Sequence, residues 1–143
     1  MKRILSTLIL ATLLLLTLPS CGTGKPEIED YDWKMRTIMH VENNQVIVDA
    51  TGEYTTAHSG AKVINMTLTA KDGIITINDN TNNKTYEGTY SVSGKNPQGT
   101  DYKITIDGKS GYATVAMTKY ADGTEEPTLP ISLDGHSMYF YAN

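Results

Sequence analysis

The sequence predicts an all-β domain. It reads as a single antiparallel meander closing into a small barrel of about eight strands, with a β-sandwich as the other arrangement the same strands could build. Three observations carry that prediction. Apolar residues recur at every second position through most of the chain after residue 32, Asp-Gly pairs punctuate it at 72–73, 107–108, 122–123 and 134–135, and nothing beyond residue 20 shows a helical period of useful length. Alternation places one face of an extended ribbon in a core and the other in water. Asp-Gly between two such runs marks a tight hairpin, because both central residues of a type I′ turn need positive φ. A meander of hairpins leaves two raw edges, and closure into a barrel pairs them.

In chain order, Trp33, Met35, Thr37, Met39 and Val41 form the apolar face of the first strand, against Lys34, Arg36, Ile38, His40 and Glu42. Glu42-Asn43-Asn44 turns the chain and Gln45 to Asp49 resumes it. Residues 51–60 carry Gly52, Thr55, Thr56, Ser59 and Gly60 and read mostly as loop, with room for a short strand about Glu53-Tyr54-Thr55. Lys62 to Ala70 sets Ile64, Met66, Leu68 and Ala70 on one face, and Ile74 to Ile77 answers it across Asp72-Gly73. A polar cluster from Asn78 to Asn83 leads to Lys84–Ser93, with Tyr86, Gly88, Tyr90 and Val92 on one side.

Gly94 to Gly99, with Pro97, reads as a loop. Tyr102, Ile104 and Ile106 alternate next, Asp107 to Gly111 turns, and Tyr112 to Tyr120 runs back with Ala113, Val115 and Met117 on one face. In the strand of Leu129, Ile131 and Leu133, Pro127 and Pro130 predict an edge or irregular strand, because proline cannot donate to a ladder. Asp134-Gly135 makes the last turn before the strand from Ser137 to Tyr141.

The amino terminus is of another kind. Lys2 and Arg3 precede an apolar run from Ile4 to Leu18, broken only by Ser6, Thr7, Thr12 and Thr17, and then Pro19-Ser20-Cys21-Gly22. A charged start, an apolar stretch of roughly 15 residues and small residues before a cut describe an export signal. The run is short for a membrane span, which needs about 20 apolar residues. Leu18-Pro19-Ser20-Cys21 resembles the lipobox of bacterial lipoproteins. That resemblance implies cleavage between Ser20 and Cys21, a diacylglycerol on the Cys21 thiol and an acylated new amino terminus, with palmitate as a typical chain. Cys21 is the only cysteine, so it can form no internal disulfide, and a lipid anchor explains an odd thiol in an exported chain. More than one acyl chain is what stable anchoring requires.

Residues 1–20 are thus expected to be a removed signal, 21–32 a lipidated cysteine and flexible acidic tether, and 33–143 the β domain. The tether reading rests on Gly22-Thr23-Gly24-Lys25-Pro26 followed by Glu27, Glu29, Asp30 and Asp32; those acids also resemble a surface-export signal of some outer-membrane lipoproteins. The expected location is the periplasmic side of the outer membrane, with the cell surface as the alternative. Losing Lys2 and Arg3 leaves ten basic against 16 acidic residues, a formal charge of −6. That balance disfavours nucleic acid and anionic lipid surfaces as partners.

Trp33 at the start of the first strand, the Asp-Gly hairpins, the strand Lys84-Thr85-Tyr86-Glu87-Gly88-Thr89-Tyr90 and the aromatic last strand together resemble the small lipocalin-like lipoproteins of Gram-negative bacteria. The resemblance covers Trp33 to Asn143. It implies a non-catalytic protein that holds a small apolar or amphiphilic ligand in a barrel, the alternative being a filled barrel that serves as a scaffold for envelope proteins.

Chemistry-bearing groups are sparse. His40, His58 and His136 lie in different segments without metal-ligand spacing, no Gly-x-Ser-x-Gly occurs, and Asp72, Asp107, Asp122 and Asp134 are each explained by the turn they open. No enzyme, metal or cofactor is expected. Nine Tyr against one Phe and one Trp is a biased ratio, and tyrosine suits both strands and wet binding surfaces. If the barrel holds a cavity, Trp33, Tyr86, Tyr90, Tyr102 and the methionines are the lining candidates.

Overall fold

The computed structural model describes residues 25–52 and 60–143. A short 3₁₀ turn, Ile28–Asp30, precedes nine strands: β1 (Trp33–His40), β2 (Val46–Asp49), β3 (Met66–Lys71), β4 (Ile74–Asp79), β5 (Lys84–Asn96), β6 (Gly99–Ile106), β7 (Lys109–Lys119), β8 (Glu125–Leu133) and β9 (His136–Ala142). Neighbours from β3 to β9 pair antiparallel in sequence order. β1 pairs with β9 on one side and with β3 on the other, so eight strands close into a barrel and the sandwich is ruled out. β2 is the extra strand. β1 gives the Trp33–Lys34 part of its second edge to β3 and the Thr37–Met39 part to β2.

The hairpins follow the turn chemistry. Asp72-Gly73, Asp107-Gly108 and Asp134-Gly135 all have both residues at positive φ, with Asp at 51° and Gly between 74° and 81°. Asp122-Gly123 belongs to a longer loop in which only Gly123 is left-handed. The 94–99 segment departs from expectation. β5 runs on to Asn96 and β6 starts at Gly99, so only Pro97 and Gln98 turn, and a bulge between Val92 and Gly94 absorbs the mismatch. Val92 still pairs with buried Tyr102 but, next to the bulge, is left half exposed. Pro130 sits within a barrel strand, not at an edge. The β7–β8 pairing is interrupted between Ala113–Ile131 and Ala116–Thr128, where Pro130 has no N–H to give. The stretch about Glu53-Tyr54-Thr55 lies outside the described residues.

β1 corrects the alternation. Trp33 and Met35 point inward as expected, but Met35 pairs with Phe140 and Thr37 with the adjacent Tyr139, leaving Arg36 as an extra residue. Such a bulge shifts the alternation by one position. Beyond it Ile38 and His40, not Thr37, Met39 and Val41, share the inner face: Ile38 pairs with Met138 and is buried, and Val41 is half exposed. Arg36 instead stacks over the Tyr141 ring, 4.0 Å from its centre.

Turns 72–73, 97–98 and 120–124 share one end of the barrel with the start of β1, and that end is closed. Trp33, Leu68, Ile75, Val115, Leu129, Ile131 and Phe140 are fully buried above it. Ile28, at 1% exposure, plugs it from below. The acidic stretch from Glu27 is therefore structure, not free tether. Glu27 and Asp30 form a capping box in which Asp30 accepts from the Glu27 N–H at 2.7 Å. Trp33 Nε1 donates to the Ile28 carbonyl at 2.8 Å and the Ile28 N–H donates to Tyr102 Oη at 3.1 Å. Lys95 pairs with Glu27, Tyr90 donates to Glu29, and Asn143 N–H donates to the Asp32 carbonyl at 2.8 Å. One apolar residue among acids is enough for a plug when the carboxylates of Glu27, Glu29 and Asp30 each find a donor and Asp32 is held through its backbone.

Candidate functional site

The opposite end is open. Turns 41–45, 80–83, 107–108 and 134–135 ring it, and below them lies a cavity of 310 Å³. Its wall is built from inward positions of nearly every strand around the barrel: Ile38, Met66, Ile77, Tyr86, Ile106 and Met138, with Ile47 contributed by β2. Ile47 reaches it because Ile38 pairs with Val48 and Met39 with Val46, which leaves Ile47 as the unpaired residue of a second bulge. Asp107, Lys109, Asp134 and His136 supply polar groups at the rim. An apolar wall with a few polar groups at one side can bury the body of a small molecule and orient its polar end. The volume is about twice the 150 Å³ or so that holds one benzene. It suits one compact or short-chain ligand, not a whole membrane lipid.

Of the expected lining residues, Tyr86 lines the cavity, as do Met66 and Met138. Trp33, Tyr90 and Tyr102 do not; they belong to the closed end. Tyr102 is 1% exposed and packs edge-on to Tyr90, ring centres 5.8 Å apart. Tyr90 Oη also accepts from the Gly73 N–H at 3.3 Å. Burial first, then the bond to Glu29, pushes its hydroxyl up to about 12. These aromatics hold the plug, and alternation could not tell which end of the barrel they would occupy.

The rim charges are mutually engaged. Lys109 bridges to Asp134 across the β6–β7 and β8–β9 turns and holds that carboxyl below the usual carboxylate range. His40 and His136 face one another directly in the β1–β9 register, ring centres 4.7 Å apart and tilted by 39°. The linear spacing of the histidines hid this pair. The available signal was topological: in a meander that closes first strand on last, the end of the first meets the start of the last.

No set of three or more His, Cys, Asp or Glu converges at metal-binding distance among the described residues. No helix among them is long and apolar enough to cross a membrane. Ser20, Cys21 and His58 lie outside the described residues. Comparison with protein-family models, curated proteins and solved structures finds no match.

Proposed function

We propose that this chain is a non-catalytic lipoprotein, anchored to the outer membrane on its periplasmic side through Cys21, that binds a small apolar or amphiphilic ligand in the open end of its barrel. The observation that carries the reading is the 310 Å³ cavity with its apolar wall. A barrel acting only as a filled scaffold would have side chains meeting across that space, as they do at the plugged end. The lipobox-like segment supports the anchor, and the resemblance to lipocalin-like lipoproteins is consistent with both parts. Lys25 bonds to the Asn96 carbonyl at the plugged end, so the described chain enters the barrel at the end opposite the mouth.

Native mass spectrometry of the protein extracted from its own envelope tests the ligand reading. A co-purifying small, largely apolar molecule is expected. A barrel that emerges with only a protein partner would favour the scaffold and overturn it. Cys21→Ala is expected to abolish acyl labelling and release the protein from membranes; unchanged membrane association would refute the anchor.

A further inference from the structure

The histidine pair at the barrel mouth brings two imidazoles within the span of one metal ion. The Arg36 bulge brings His40 to the same face as Ile38, directly across from His136. His136 Nδ1 lies 2.8 Å from the Asp134 carbonyl oxygen. A carbonyl can only accept, so Nδ1 carries a proton, which leaves Nε2 as the nitrogen whose lone pair a metal would take. That is the arrangement of a metal-bound imidazole, whose second nitrogen typically donates to a backbone carbonyl or carboxylate.

Distance agrees with this. A zinc–nitrogen bond of about 2.0–2.1 Å puts an ion roughly 3.2 Å from each ring centre, so rings 4.7 Å apart are within reach of one ion, which they subtend at about 95° when one nitrogen of each ring turns toward it. That lies between the octahedral and tetrahedral angles. The charges at the mouth also favour a cation, with Asp107 and Asp134 set against Lys109. Both histidines are carried by paired strands, so little ordering is left to be done on binding.

We propose that His40 and His136 form a two-imidazole site for a late divalent transition ion such as Zn²⁺, Ni²⁺ or Cu²⁺, with His136 binding through Nε2. Imidazole suits these ions, and Cu²⁺ should bind most tightly of the three. The remaining coordination positions are open to water or to a donor atom on a molecule in the mouth. The site stands independently of the apolar-ligand reading, because it needs only the strand pairing.

The test uses the full chain, purified in detergent without a polyhistidine tag and titrated with ZnCl₂, NiCl₂ or CuCl₂ alone. One ion per chain with micromolar affinity is expected by calorimetry. Substoichiometric Cu²⁺ should broaden the ring proton resonances of His40 and His136 together. H40Q and H136Q should each weaken uptake by at least about tenfold, and H58Q should leave it unchanged. Affinity no better than millimolar, uptake that survives both H40Q and H136Q, or uptake lost in H58Q would overturn the proposal. The wild-type resonances decide the matter even where a variant folds poorly, since broadening elsewhere than at these two rings also rejects it.

Discussion

Gly88 lies on the inner face of β5, between Tyr86 of the cavity wall and Tyr90 of the plug, and it allows β5 and β6 to approach closely. A Cβ built there would stand 2.0 Å from the Thr105 carbonyl oxygen, 2.8 Å from Ile106 Cα and 2.9 Å from Thr105 C. All three are backbone atoms, so no side chain can swing aside. The strands would have to part by about 1 Å against a normal separation of roughly 4.8 Å. Overpacking of this kind costs about 1–3 kcal/mol, and each neighbouring ladder bond that is stretched forfeits up to about 1 kcal/mol more. Alanine's lower conformational entropy returns about 0.5–1 kcal/mol. Gly88→Ala is therefore expected to destabilise by roughly 2–4 kcal/mol, a fall in Tm of about 8–15 °C for a domain of this size.

Gly94→Ala, in the same strand, is the control. Its Cβ would meet only the Asp101 side chain, Oδ2 at 3.5 Å and Cβ at 3.9 Å, both ordinary contacts, and near-neutral stability is expected. Both variants make the same change to the unfolded chain, so their difference reports the native state. Urea unfolding followed through Trp33, the single and fully buried tryptophan, is the assay. If Gly88→Ala proves as stable as Gly94→Ala, the argument from strand approach is wrong.

Met138→Trp should fill the cavity and reduce uptake of an apolar fluorescent probe while costing less than about 3 kcal/mol, since the added bulk enters open space; undiminished uptake would place binding elsewhere. Asp79 accepts from the Thr81 and Asn82 N–H groups at 3.1 and 2.9 Å and from Asn82 Nδ2 at 2.7 Å. Burial pushes its carboxyl up, but those bonds outweigh burial and hold it below 3.8. A depressed carboxyl stabilises above its unfolded value and loses that contribution as pH falls through the folded one, so Asp79→Asn should flatten the stability profile below about pH 4. Tyr90 behaves in the opposite sense: raised from 10.0 to about 12, its contribution is complete below pH 10 and lost on the way to 12. Tyr90→Phe should remove one late-titrating phenolate from the ultraviolet titration, and a Tyr90 that ionises at 10 would contradict the bond to Glu29.

Most strands were legible because their cause is local. Alternation of Ile75 and Ile77, or of Tyr102, Ile104 and Ile106, is read from neighbours two residues apart, and all five are buried. Asp-Gly turns are local too, and three of the four have the double positive φ that the dipeptide favours. Alternation misplaced residues where pairing introduced an offset. Thr37, Met39 and Val41 continue an unbroken pattern on paper, yet the partner strand skips a beat opposite Arg36, and nothing within β1 announces it. Likewise Glu27 to Asp32 looks like solvated linker until Tyr102, 74 residues on, accepts from the Ile28 N–H and Trp33 turns back to bond the Ile28 carbonyl.

The sequence by itself determined that this chain is a β meander and where most of it turns, because each depends on residues close in the chain. Only the tertiary structure decided which end is plugged and which is open, that Tyr86 faces a cavity while Trp33, Tyr90 and Tyr102 seal the floor, and that His40 meets His136. Those outcomes depend on register between strands as much as a hundred residues apart. A one-residue bulge reverses which face a side chain joins, and the energy that selects the bulge is spread over the whole closed barrel.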